Sequence, residues 1–303
     1  MTTTPSPPPP PPALARYVGD RGADPVASYL GAGRSLRSEI ERCLPADWTW
    51  EGRSVLDFGC GSGRVLRHFL AEAAVAHLHG CDIDRASIEW ASRHMAPPLQ
   101  LRQTAGEPPL PYADGSFDLV WALSVLTHIG EGWSAWLLEL HRVLRGDGLL
   151  IATFMGEGMS QQVAGEAWQE DRVGMNVLYP GLRWDGGGPM VLHSPWWIRA
   201  HWGRAFEILE LRPTGVIGAG QGIVVMRRRD VLLAPGDLER LEPGERREVT
   251  ALAHTVRQLQ RELVALNAER DGLAELARRR DYPTRLANLA RRLRARAGGG
   301  QRR

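Results

Sequence analysis

From residue 54 to residue 154, five short apolar runs alternate with amphipathic stretches, and this alternation limits what the 303-residue chain can fold into more than any other feature. The runs at 54–58, 76–81, 99–103, 117–123 and 149–154 have the length of strands. Helical spacing of apolar residues fills 64–72, 85–94 and 133–144 between them. A strand, a crossover helix and a second strand of the same sheet form a right-handed parallel unit, and several in series form a doubly wound sheet with helices on both faces. Two later runs, 206–211 and 222–226, complete it. The expected fold is therefore α/β, a Rossmann-like doubly wound sheet.

The flanks are read by composition and spacing. Six consecutive prolines, Pro7 to Pro12, fix φ and remove backbone donors, so residues 1–12 are expected to form a disordered proline-rich tail outside the fold. Tyr29, Leu30, Leu36, Ile40 and Leu44 recur at helical spacing up to Pro45, which makes residues 13–229 the domain. Residues 156–188 lack clear periodicity and are rich in glycine, tryptophan and polar residues, so 156–193 are expected to form an excursion that caps the sheet on the substrate side. Ser194 and Pro195 suit the N-cap and first position of a helix carrying Trp196, Trp197 and Trp202 into the core. Residues 230–246 read as a linker and 247–280 as a coiled coil, because Val249, Leu252, Val256, Leu259, Leu263 and Leu266 step alternately by three and four, with Arg270 at an a position before Leu273. Pro283 is expected to end that helix and leave 281–303 as a basic tail.

All 37 basic residues are arginines, which excludes chemistry that needs a lysine, such as a P-loop phosphate site or a pyridoxal Schiff base. From Arg227 onward there are 19 arginines against 11 acids, and before it 18 against 24, so a mildly acidic body carries a basic tail suited to nucleic acid or an anionic surface. Cys43, Cys60 and Cys81 have no paired spacing and the histidines form no metal signature, so a reducing compartment and no metal are expected. Without an apolar run of spanning length or a secretory pattern at the N-terminus, a cytoplasmic location is the expectation.

Chemistry concentrates at one place. The first strand runs into Asp57-Phe58-Gly59-Cys60-Gly61-Ser62-Gly63-Arg64, a glycine-rich turn where a ligand can touch backbone that any Cβ would block. The spacing G-x-G-x-G, with Arg64 where a dinucleotide fingerprint needs glycine, argues against a pyrophosphate on the helix N-terminus. Asp57 suits a positive group, and Asp82, nineteen residues beyond Gly63, ends the second strand where an acid accepts both hydroxyls of a ribose.

These segments resemble the class I S-adenosylmethionine-dependent methyltransferases. Residues 55–64 resemble the first motif of that superfamily, and Gly80-Cys81-Asp82-Ile83-Asp84 the second. Residues 110–120 resemble the stretch before its fourth strand, and 140–148 the run into its fifth. The resemblance implies a seven-stranded sheet whose last strand is antiparallel, with S-adenosyl-L-methionine across the carboxyl ends of the first strands. In that arrangement Gly59, Cys60, Gly61 and Gly63 line the methionine and ribose portions, Asp57 holds the amino group directly or through water, and Asp82 binds the ribose. Adenine lies between Ile83 and the segment after the third strand, near Leu123. There the family often has an Asp-Ala pair where this chain has Ala105-Gly106-Glu107, so backbone contacts at Gly106 and Glu107 are expected instead.

Methyl transfer from a sulfonium is an in-line displacement that positioning alone advances far, and a hydroxyl acceptor adds a use for a neutral histidine base. His128, placed near the acceptor by the resemblance, and His193 are the candidates, with Tyr179 behind them. The motif set and the aromatic, glycine-rich cap point to an enzyme that O-methylates a small molecule or glycan and self-associates through its coiled coil. The alternatives are N- or C-methylation, a macromolecular acceptor engaged by the basic tail, or a non-catalytic scaffold that oligomerises.

Overall fold

The computed structural model describes residues 6–15, 24–184, 187–217 and 220–298, with 279–298 described by their backbone course only. The strands are β1 Ser54–Phe58, β2 His77–Asp82, β3 Gln100–Gln103, β4 Phe117–Ala122, β5 Leu144–Phe154, β6 Met175–Leu178, β7 Met190–His193, β8 Phe206–Val216 and β9 Gln221–Arg228. The helices are α1 Pro12–Ala15, α2 Pro25–Cys43, α3 Arg85–Met95, α4 Trp133–Val143, α5 Glu157–Ala164, α6 Pro195–His201, α7 Pro235–Glu239 and α8 Arg247–Gly298.

Seven strands form one sheet in the order β3-β2-β1-β4-β5-β9-β8. β3, β2, β1, β4 and β5 run parallel, while β9 is antiparallel to both β5 and β8. The strand order reverses beside β1, so the carboxyl ends of β1 and β4 open a crevice at the switch point. Side chains alternate across the sheet. Leu56, Phe58, Val120, Ala122, Leu150 and Ala152 pack with α4 and α6 on one face. Val55, Leu119, Trp121 and Ile151 pack with Leu36 and Ile40 of α2 and with Ile88 and Met95 of α3 on the other.

Local chemistry sets the helix starts. Asp24 accepts from the N–H groups of Val26 and Ala27 at the start of α2, Asp84 from those of Ala86 and Ser87 at the start of α3, and Ser194 from Trp197 in α6. Trp196, Trp197 and Trp202 are buried, as the sequence suggests.

Five expectations need correction. The stretch 64–72 forms 3-10 turns at Leu66–Phe69 and Glu72–Ala74 rather than a helix. It lies under α2 at Gly33, where an added Cβ would fall 2.2 Å from the Arg64 carbonyl oxygen. The cap has structure of its own: α5, then the antiparallel hairpin β6–β7 with Asn176 opposite Leu192. The proline arm is not a free tail, since Pro10 is buried and Arg67 donates to the carbonyls of Pro7 and Pro8, both at 2.6 Å. Residues 230–246 are not a loose linker, because Leu238 is buried and Arg204 donates to the carbonyls of Asp237, Leu238 and Arg240. Finally, α8 continues through Pro283. A proline removes one intrahelical hydrogen bond, and the Arg, Ala and Leu around it are strong helix formers.

The chain divides into two compact units, Met1–Ala251 and Leu252–Arg303. Among the described residues no helix is long and apolar enough to cross a membrane, and no group of three or more His, Cys, Asp or Glu side chains could hold a metal. The side chains of the basic tail lie outside the described residues.

Candidate functional site

β1 ends with Asp57 and Phe58 at the switch point, and the chain then turns through Gly59 to Gly63. The amides of Gly59 and Cys60 both donate to the Cys81 carbonyl, which locks the turn against the end of β2. Gly59 has φ +82°, and a Cβ there would fall 2.3 Å from Val125 Cγ2, so only glycine lets the segment after β4 close onto the turn. Gly61 has φ +52°, and a Cβ there would meet nothing nearer than Asp82 Oδ2 at 4.0 Å. The turn therefore frames open space that a side chain would fill. The Cys60 thiol is buried, and burial pushes it well up, so it lines the turn as a neutral group.

Asp82 is held before any ligand arrives. Its Oδ2 accepts from the Gly61 amide at 2.7 Å and its Oδ1 from the Asp84 amide at 2.8 Å. Each carboxylate oxygen keeps lone pairs for a further donor, which is what two adjacent ribose hydroxyls require. Burial raises the carboxyl, and the backbone N–H groups pull it back toward the ionised form. The Thr104 amide donates to the Asp82 carbonyl, bringing the segment after β3 alongside, with Gly106 and Glu107 exposed and Ile83 half-buried. Leu123 is buried at the end of β4.

Asp57 is only 3% exposed, and its Oδ2 has no hydrogen-bond partner among the described residues. Burial pushes its carboxyl up to about 7, opposed by the Trp121 indole and the Arg64 guanidinium and reinforced by Asp82. An unsatisfied carboxylate at this depth is costly unless a positive donor reaches it. Arg64, itself buried, faces Asp57 and Tyr29, and burial pulls its guanidinium down to about 10. The sequence by itself gives Arg64 no role as a ligand group; its place directly after the turn is the one signal for it.

The segment after β4 carries the histidine candidate. Ser124 has φ +61°, a left-handed conformation rare outside glycine, and is tied by its amide to Thr153 Oγ1 and by its hydroxyl to Gln221 Oε1. His128 Nδ1 lies 2.8 Å from the Pro189 carbonyl oxygen. A carbonyl only accepts, so Nδ1 carries the proton and Nε2 keeps a lone pair. Burial lowers the imidazole's affinity for a second proton, which keeps this tautomer neutral. His193 is not brought to a reactive surface. It is 1% exposed, ringed by Trp197 and Trp202 at 5.4 and 5.2 Å, and pushed down to about 3 by burial. Tyr179 is exposed on the cap, and its hydroxyl donates to the Val163 carbonyl.

A doubly wound sheet with a glycine turn, an acid at the end of β2 and an orphaned acid at the end of β1 brings together groups that could hold a nucleoside cofactor bearing a positive group. Residues 56–152 match the family described as Methyltransferase domain. The stretch that carries the glycine turn and both acids is thus similar to methyltransferase domains. Methyltransferase GfsG of Streptomyces halstedii is 33% identical over 146 residues, covering 46% of this chain and 50% of that protein. The 27-O-demethylrifamycin SV methyltransferase of Amycolatopsis mediterranei is 35% identical over 103 residues, covering 33% and 37%. The chain thus spans half or less of the length of these relatives. In fold it resembles the solved structure of a Listeria monocytogenes protein described as an S-adenosylmethionine dependent methyltransferase, with TM-score 0.50 and 14% identity over 66% of this chain and all of the other.

Proposed function

We propose that this protein transfers the methyl group of S-adenosylmethionine to an oxygen of a small molecule or glycan. The observation that carries the reading is Asp57 Oδ2, a buried carboxylate oxygen without a donor, beside the open space at Gly61 and the pre-oriented Asp82. Asp57 would take the cofactor's amino group, Asp82 its ribose hydroxyls and Arg64 its carboxylate. Ile83, Leu123 and the backbone of Gly106 and Glu107 would flank the adenine. The bound cofactor supplies an electrophilic methyl group on a sulfonium with a neutral thioether as leaving group.

The protein's part is then to hold the acceptor in line and take a proton. His128 Nε2 would accept the proton from the acceptor hydroxyl while Nδ1 keeps its bond to Pro189, so the ring does not turn during the step. Relatives support oxygen as the acceptor atom, among them the rifamycin enzyme named above and a malonyl-[acyl-carrier protein] O-methyltransferase of Hahella chejuensis. We further propose that α8 pairs with a second copy, because Leu252, Val256, Leu259, Leu263, Leu266 and Leu273 are all exposed on it. Calorimetric titration with S-adenosylhomocysteine tests the cofactor site. Screening metabolite extracts for products heavier by one methylene, wild type against Asp82→Ala, tests the acceptor class; absence of binding overturns the reading.

A further inference from the structure

The proline arm meets the cofactor turn through a chain of three contacts. Arg67 Nη2 donates to the carbonyls of Pro7 and Pro8. Its guanidinium carbon lies 5.9 Å from the centre of the Tyr29 ring. The Tyr29 hydroxyl bonds Ser62 Oγ at 2.9 Å, inside the glycine turn. Tyr29, Ser62 and Arg67 are all buried, and α1, which follows the arm directly, buries Ala15.

A run of prolines is suited to this task. It has no N–H groups to satisfy and no internal hydrogen bonds, so its carbonyls stay free for an outside donor, and its extended conformation is set before it docks. Little backbone entropy is lost when it binds. Arginine is the complementary partner, because one guanidinium spans two successive carbonyls.

We infer that the proline-rich arm is the outer clamp of the cofactor turn, acting in series through Arg67 and Tyr29 on Ser62. Arg67 and Tyr29 are positioning residues, and the arm slows release of whatever the turn holds. The inference rests on the reading that the turn holds S-adenosylmethionine.

The test compares the full chain with deletion of residues 2–11, with Arg67→Gln, with Tyr29→Phe and with the deletion combined with Tyr29→Phe. Binding and dissociation of S-adenosylhomocysteine are measured, together with amide hydrogen exchange at residues 59–64 in ligand-free protein. Each single change is expected to weaken binding about five- to tenfold, the loss of one hydrogen-bonded link, mainly through faster dissociation. The double variant should be little worse than either single one, since links in series do not add. Turn amides should exchange faster, and the Tyr29→Phe protein, which keeps its ring, should melt near wild type. Additive losses, or a deletion that leaves affinity and turn exchange unchanged, overturn the clamp. If the full chain does not bind S-adenosylhomocysteine, the cofactor reading falls, and exchange at the turn still decides whether the arm clamps it.

Discussion

Asp57 concentrates most of the site's electrostatics in one carboxyl. Its ordinary value of 3.8 becomes about 7 through burial, so in ligand-free protein the group favours folding fully below about pH 4, and that contribution is lost as pH rises through 7. The swing is on the order of 4 kcal/mol, three units at about 1.4 each. A positive cofactor reverses the preference by selecting the ionised form. Affinity for S-adenosylmethionine should therefore fall about tenfold per pH unit below 7 and level off above it, while Asp57→Asn should bind weakly with a flat profile. Titration calorimetry from pH 5.5 to 8.5 reads both, and a flat wild-type profile would place the cation elsewhere. Asp82→Ala should cost about 1.5–3 kcal/mol of binding, the range for hydrogen bonds to a charged group, with the melting temperature kept. The two histidines should separate cleanly. His128→Ala should lower turnover about a hundredfold with cofactor affinity retained. His193→Ala should instead destabilise the fold by about 2–4 kcal/mol, as a large-to-small core change does. Equal effects of both on turnover alone would contradict the assignment.

Among the elements, α6 and the start of α8 are joined by a pair that no local pattern announces. His201 on α6 has Nδ1 2.7 Å from the Leu238 carbonyl and Nε2 2.8 Å from Glu248 Oε1, with both side chains buried. The Leu238 carbonyl only accepts, so Nδ1 donates to it and Nε2 is the atom that faces Glu248. The Glu242 amide donates to the same carboxylate oxygen, and Ser134 on α4 bonds Glu239 of α7. Residues 235–251 are thereby fastened to the domain. Glu248→Ala leaves the histidine buried without its acid and should lower stability by about 3–5 kcal/mol. Thermal melting checks this; a loss under 1 kcal/mol would mean that the segment holds without the pair.

At the scale of the whole molecule, the question is what covers the apolar seam of α8. Val249, Leu252, Val256, Leu259, Leu263, Leu266 and Leu273 are between 43% and 69% exposed, and each leucine fully buried in a partner contributes about 2 kcal/mol. Sedimentation of the full chain at micromolar concentration should show a dimer or larger, and a monomer would contradict the pairing. The cut that yields a monomeric, cofactor-binding domain belongs after Ala251, where the first compact unit ends. An earlier cut before Glu245 would remove Glu248 from His201.

Sequence alone determined the parts of this protein that depend on neighbours along the chain. Strand length, the helix cap at Ser194, the glycine turn and the acid ending β2 are local signals, because periodicity and φ restrictions act over a few residues. They sufficed for the sheet, its likeness to methyltransferase domains and the two candidate acids, Asp57 and Asp82. Tertiary structure decided everything that depends on residues far apart in sequence. It docked the proline arm on Arg67, paired β6 with β7, fastened 235–251 to the domain, buried His193 in the core and set Arg64 against Asp57. Whether a polar side chain is a ligand group or a packing group depends on its burial and its partner, and neither has a period along the chain.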